Sequence, residues 1–210
     1  MSSIRKLRGI VMSPTVGLER SPRHLRELLE EAAQNLAAVA NQLDALVMRP
    51  SQAALERIEA SEAEGDRIFH DLLVAVQASR RAGPDRVRFV TLGQALEDVL
   101  DSVNDLAWCW TRRPLTPAAD ALLALRDTVR AAARAARHAD DTAGREHRIA
   151  LSRATHADAR AHLRNARRRL LVQQDDPQLA IAGDALLRRV ELSLAACGRL
   201  REQLERQELG

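Results

Sequence analysis

Residues 59–73 read EASEAEGDRIFHDLL, and the placing of their acids against their apolar residues decides how the chain folds. Leu55, Ile58, Phe69, Leu72 and Val76 recur at helical steps, which marks one face of an α-helix. Continuing that seam between Ile58 and Phe69 lands on Glu62 and Gly65, with Asp66 alongside. A carboxylate intruding on a core seam costs stability unless it is paired, hydrated or bound to a cation. Glycine inside a helix costs about 1 kcal/mol against alanine, so Gly65 implies a close approach by another backbone or a ligand. Glu59, Glu64 and Asp71 fall to solvent.

Working outward, proline and glycine punctuate the chain into six helical patterns. Ser21-Pro22 opens the first, which runs to about Val47, and Arg49-Pro50-Ser51 ends it and caps the next. The second spans about Gln52 to Ser79 and stops at Arg81-Ala82-Gly83-Pro84; the third spans about Asp85 to Trp110. Thr116-Pro117 caps a fourth that reaches Ala139, the fifth runs from Thr142 to Gln173, and Asp176-Pro177 starts the sixth. Short connections make neighbours antiparallel. The expected fold is all-α: six long helices in two pseudo-repeated three-helix bundles, residues 21–112 and 115–210, after an N-terminal extension of residues 1–20. No Gly/Ser-rich linker separates the bundles, so one rigid unit is expected.

Composition agrees. Of 210 residues, 46% are apolar and 29% charged, with 2% aromatic and no Tyr, usage that favours helix over sheet. Cys109 and Cys197 make neither a disulfide framework nor a zinc knuckle, which points to a reducing, cytoplasmic setting. No stretch approaches the roughly 18 apolar residues of a spanning helix. Charge is uneven, −3 over residues 1–110 and +6 over residues 111–210. Two arginine stripes carry the surplus: Arg126, Arg130, Arg134 and Arg137 on the fourth helix, and Arg160, Arg164, Arg167 and Arg168 on the fifth. Such stripes are ordinarily solvated faces with acids nearby, here Asp127, Asp140 and Asp141; the functional alternatives are an anion, an acidic partner or a membrane surface. Nucleic acid is disfavoured, because few aromatics are present to stack on bases.

The third helix holds LGQALEDVLDSVND, in which Glu97 and Asp101 lie four apart and project from one face. Its apolar seam is Leu92, Leu96, Val99, Val103 and Leu106, with the two acids at its edge. If the second and third helices are antiparallel neighbours, Glu62/Asp66 and Glu97/Asp101 converge in one groove. Four carboxylates repel unless a cation neutralises them, and all-oxygen ligation suits a hard metal ion. The plainer alternative is a solvated acidic face of Asp98, Asp101 and Asp105.

Three segments in series, LEEAAQNLAAVANQLDAL, RIEASEAEGDRIFHDLL and GPDRVRFVTLGQALEDVLDSVNDLA, resemble the PhoU-like family, in its branch of Pit accessory proteins or phosphate transport regulators. The likeness covers residues 20–112, and the family's TPFDR turn is only partly kept here as AGPDR. The resemblance implies paired three-helix bundles, carboxylates that bind a divalent or ferric metal ion, and a role in phosphate transport. Its roles carry over to Glu62, Asp66, Glu97 and Asp101. It also implies a Pit-type phosphate transporter or another membrane-associated protein as partner, a homo-oligomer as one option, and a cytoplasmic place at the inner membrane face. In the second half, LSRATHADARAHL keeps Asp158 but has Ala154, and RRVELSLAACGRL keeps Glu191 but has Ala195. Asp158 and Glu191 are therefore weaker metal candidates, with His156 and His162 close enough in sequence to substitute.

No phosphate-binding loop, dinucleotide fingerprint, nucleophile elbow or H-E-x-x-H occurs. Cys109, between Trp108 and Trp110, reads as packing rather than as a nucleophile. The expected function is thus non-enzymatic. The alternatives are a metal-free helical module that binds an acidic partner or membrane surface and, third, a helical nucleic-acid binder.

Overall fold

Helix signals in the sequence become six α-helices in the computed structural model, which describes residues 22–79, 83–139, 143–173 and 176–206. They are α1 (Pro22–Met48), α2 (Gln52–Ala78), α3 (Gly83–Arg112), α4 (Thr116–Arg137), α5 (Arg145–Gln173) and α6 (Pro177–Arg206). The expected N-terminal extension, the Ser21 cap, Arg81, Ala82, Asp140, Asp141 and Thr142 lie outside the described residues. Ser51 caps α2 as expected, its hydroxyl accepting from the Ala54 N–H at 3.2 Å. Thr116 does not cap α4. Leu115 holds the cap position without a side-chain bond, and Pro117 sits in the first turn, where its missing N–H loses no partner.

Helices α1, α3, α4 and α6 form the centre: α1 packs on α3 and α4, and α6 packs on α3 and α4. Helix α2 lies outside against α1 and α3, and α5 lies outside against α4 and α6. The two halves therefore meet along α1–α4 and α3–α6, and one buried cluster runs through all six helices. Leu36, Leu43 and Leu46 of α1 join Leu122, Leu125 and Val129 of α4 in it, all fully buried. Alanines at 118, 121, 131, 132, 133, 135 and 136 let α4 approach its neighbours closely.

Polar links stitch the halves. The Ser193 hydroxyl on α6 donates to the Ser102 carbonyl on α3 at 3.0 Å. Most of the α4 arginine stripe is spent the same way. Arg126 pairs with Asp44 of α1 and with Asp127, Arg130 donates to Asn41 of α1 at 2.9 Å, and Arg137 reaches Glu30 at 3.3 Å. This stripe binds the chain's own first helix, a partner that no local pattern on α4 discloses.

Leu122→Ala is expected to cost about 2–5 kcal/mol, because the emptied space lies in the shared core. Urea unfolding followed by circular dichroism checks this. One transition, shifted as a whole, is the expected result; a shift confined to one of two separable transitions would contradict a core continuous across both halves.

Candidate metal centre

The site begins with two glycines. A Cβ on Gly65 of α2 would stand 2.4 Å from Leu100 Cδ1 of α3, and one on Gly93 of α3 would stand 2.4 Å from Leu72 Cδ2 of α2. Each helix thus seats a leucine of the other in a glycine notch. The Gly65 anomaly is thereby explained: the approaching group is a leucine side chain on the neighbouring helix.

This contact corrects the expected seam. The buried line on α2 is Ile58, Gly65, Ile68, Leu72, Ala75 and Val76, so Ile68 rather than Phe69 occupies the deep position; Phe69 is only partly buried. Between Ile58 and Gly65 the line passes through Ser61, one residue short of Glu62. The Asn35 amide of α1 donates to the Ser61 carbonyl at 2.7 Å, and Gln42 exchanges hydrogen bonds with the Ser61 hydroxyl at 3.0 and 3.2 Å. Ser61 therefore faces α1, while Glu62 and Asp66, both half-buried, flank the seam on its α3 side. Glu64 and Asp71 are held at the surface by Arg67, at 2.6 and 2.9 Å.

Helix α3 sorts its acids by face. Asp98 and Asp105 turn toward α6 and meet Arg199 at 3.4 Å and Arg189 at 2.5 Å. Asp101 joins α2 instead: one carboxylate oxygen from each of Glu62, Asp66 and Asp101 lies within 4.8 Å of the others. A solvated Asp98–Asp101–Asp105 face is thus split between two neighbours. Each pair of such charges repels by about 1 kcal/mol in water and about 4 kcal/mol near a protein surface at 4 Å. Oxygens on opposite sides of an ion bonded at about 2.4 Å stand about 4.8 Å apart, so small adjustments of these side chains fit a calcium-sized or smaller cation. With no nitrogen or sulfur ligand among the three, the donor set suits hard or carboxylate-binding ions.

Glu97 is not one of the three. It lies half-buried beside them in a crevice lined by Gly65, Phe69, Gly93, Leu96 and Leu100. Burial first, then the charges of Asp101, Asp66 and Asp98, push its carboxyl up to about 7, against a weaker opposing hydrogen bond from Gln94. Glu97 is thus a protonatable neighbour of the three carboxylates.

In the second half no comparable group of three forms among the described residues. Asp158 is exposed, and exposed Glu191 accepts from Arg167 at 2.8 Å. His156 is half-buried with Nδ1 lacking a hydrogen-bond partner, and burial, then Arg201 and Arg160, lower its pKa; His162 is exposed. Burial pushes the Cys197 thiol up to about 12, which leaves it inert.

With this geometry established, solved structures supply the comparison. A PhoU-like protein from Shewanella oneidensis MR-1 superposes with a TM-score of 0.76 at 16% identity, covering 88% of this chain and 99% of that one. The fold is PhoU-like. A second protein of that organism, proposed to be a PhoU-like phosphate regulatory protein, superposes with a TM-score of 0.70 at 15% identity and the same coverage, 88% and 99%. No family profile and no curated protein matches the chain. Within this PhoU-like fold no described helix is long and apolar enough to cross a membrane.

The Glu97 carboxyl yields a pH prediction for metal-free protein. Its folded pKa, about 7, lies above the ordinary 4.5, so the folded state holds the proton more tightly. The stabilisation is complete below the unfolded value and is lost as pH rises through the folded one. Thermal unfolding in chelator is expected to show a stability loss between pH 5 and 8 that Glu97→Gln removes. An unchanged pH slope in the variant would contradict the assignment.

Proposed function

We propose that this protein is a metal-binding, non-enzymatic regulator of phosphate homeostasis that acts on phosphate transport. The observation that carries the reading is the convergence of Glu62, Asp66 and Asp101 between two helices of a PhoU-like fold, one of whose likenesses is proposed to regulate phosphate. Glu97 joins the ligands when deprotonated. A divalent or ferric ion would join α2 to α3 across the groove, removing the repulsion that otherwise loosens it. The metal-bound form would be the one that docks on a Pit-type transporter or another membrane-associated protein at the cytoplasmic face, as a single chain or a homo-oligomer. Asp158 and Glu191 take no part, since Glu191 is engaged by Arg167.

Calorimetric titration of chelator-stripped protein with manganese, magnesium, zinc and ferric ions tests the site. Glu62→Gln combined with Asp66→Asn should weaken binding beyond the about 10–100-fold typical of losing an outer-shell partner. Equal affinity in the variant, or none in the wild type, rejects the site. In metal-free protein Asp66→Asn alone should raise stability by about 1 kcal/mol through relief of repulsion, read by denaturant unfolding. Phosphate uptake in cells lacking the gene, restored by the wild type and not by the double variant, tests the pathway.

A further inference from the structure

Helices α3 and α6 share one outer side. Behind them lie α1 and α4, while α2 borders that side on one edge and α5 on the other. The middle turns of α2, α3, α5 and α6 all fall among the described residues. Side-chain contacts fix their register. Ser193 of α6 meets Ser102 of α3 at 3.0 Å, so Leu194 is level with Asp101 in this antiparallel pair. A Cβ on Gly198 of α6 would stand 3.4 Å from His156 Cε1 of α5. One turn on from His156 and one turn back from Gly198, Arg160 is level with Leu194 and hence with Asp101.

The two edges carry opposite charge. On the α2 edge, Glu62, Asp66 and Asp101 bring carboxylate oxygens within 4.8 Å of one another. On the α5 edge, Arg153 and Arg167 lean onto α6, 3.0 Å from Glu205 and 2.8 Å from Glu191. Arg160 stands two turns from each of them and so projects on the same side of α5, with Arg164 one turn further on. Both are exposed, and among the described residues neither has an acidic partner. The exposed Asp158 shares the opposite flank with Arg169, which reaches Asp120 of α4. Exposed Glu202 is set apart, about 10 Å along α6 from Ala195 at 1.5 Å per residue. Between the edges the surface is apolar in part. Leu192 is 57% exposed on α6, and Trp108, two turns on from Asp101 along α3, is 47% exposed.

We propose that this side of the molecule is where two copies of the chain meet, about a two-fold axis parallel to the helices. Charge selects that axis. It keeps every residue at its own height and exchanges the edges, so Arg160 and Arg164 of each copy come level with Glu62, Asp66 and Asp101 of the other. A two-fold axis across the helices would instead set acid on acid and arginine on arginine. One isologous contact satisfies both edges at once and brings the two Leu192 side chains to its centre. An apolar centre with complementary charge toward the rim is the usual anatomy of a protein interface. Charge also selects the occupant. A bilayer or nucleic acid of one sign would be repelled by the acidic edge, whereas a second copy presents both signs, exchanged and at matching heights. The inference stands on this charge pattern and holds whether or not the α2–α3 groove binds metal.

Sedimentation equilibrium of the full chain in chelator tests it, apart from any question of metal. The wild type should be a dimer at low salt and dissociate as salt rises. Arg160→Glu/Arg164→Glu should weaken association at least about tenfold. The circular dichroism spectrum should not change, because both side chains are exposed. Leu192→Glu should weaken the dimer from its centre. Glu62→Lys/Asp66→Lys should be monomeric alone, yet form a mixed dimer with the Arg160→Glu/Arg164→Glu chain, since each edge then faces its opposite sign again. Three results overturn the proposal: a wild type that stays monomeric at low salt, a dimer that neither the arginine pair nor Leu192→Glu weakens, and two folded charge variants that stay monomeric when mixed.

Discussion

The close approach of α2 and α3, with Leu100 seated on Gly65 and Leu72 on Gly93, is the constraint on which the site depends. A larger residue at either glycine would collide with the seated leucine, which would have to leave its notch. Because they are so near, side chains flanking the contact have nowhere to diverge, and Glu62, Asp66 and Asp101 are held close despite their mutual repulsion. The apolar lock supplies what the acids oppose, and Glu97 responds by keeping its proton to about neutral pH. A cation would remove the conflict. On the proposed reading, an ion bound there would be coupled to the packing of an outer helix.

The two halves differ in charge around a similar arrangement of helices. In the first, arginines on α6 neutralise Asp98 and Asp105 of α3, and Arg67 gathers Glu64 and Asp71, while Glu62, Asp66 and Asp101 converge in the groove. In the second, alanines stand at 154 and 195, and Arg167 engages Glu191. The outer surface of α5 is basic where that of α2 is acidic. Helices α2 and α5 occupy equivalent outside places, which lets each specialise without disturbing the four central helices.

Much of this was legible in the sequence, because punctuation and periodicity are local. Proline and glycine marked all six helices to within a few residues, and the α3 seam of Leu92, Leu96, Val99, Val103 and Leu106 is buried as expected. The α2 seam misled at a definite point. A helix stepping from Ile58 can move by three or four, and both steps precede Gly65 acceptably; only Asn35 and Gln42 on another helix decide for Ser61. The same limit applies to the α4 arginines, whose partners lie on α1. Nothing in the α3 spacing alone could separate Asp101 from Asp98 and Asp105, since that separation is imposed by two different neighbours. Gly93 was the missed signal: a second glycine within a helical seam, matching Gly65.

The central claim, that the glycine-locked groove holds a cation between α2 and α3, is tested most directly by anomalous diffraction from crystals soaked in manganese. A peak bonded by oxygens of Glu62, Asp66 and Asp101 is the predicted result. An empty groove, or manganese bound only elsewhere on the molecule, would contradict it.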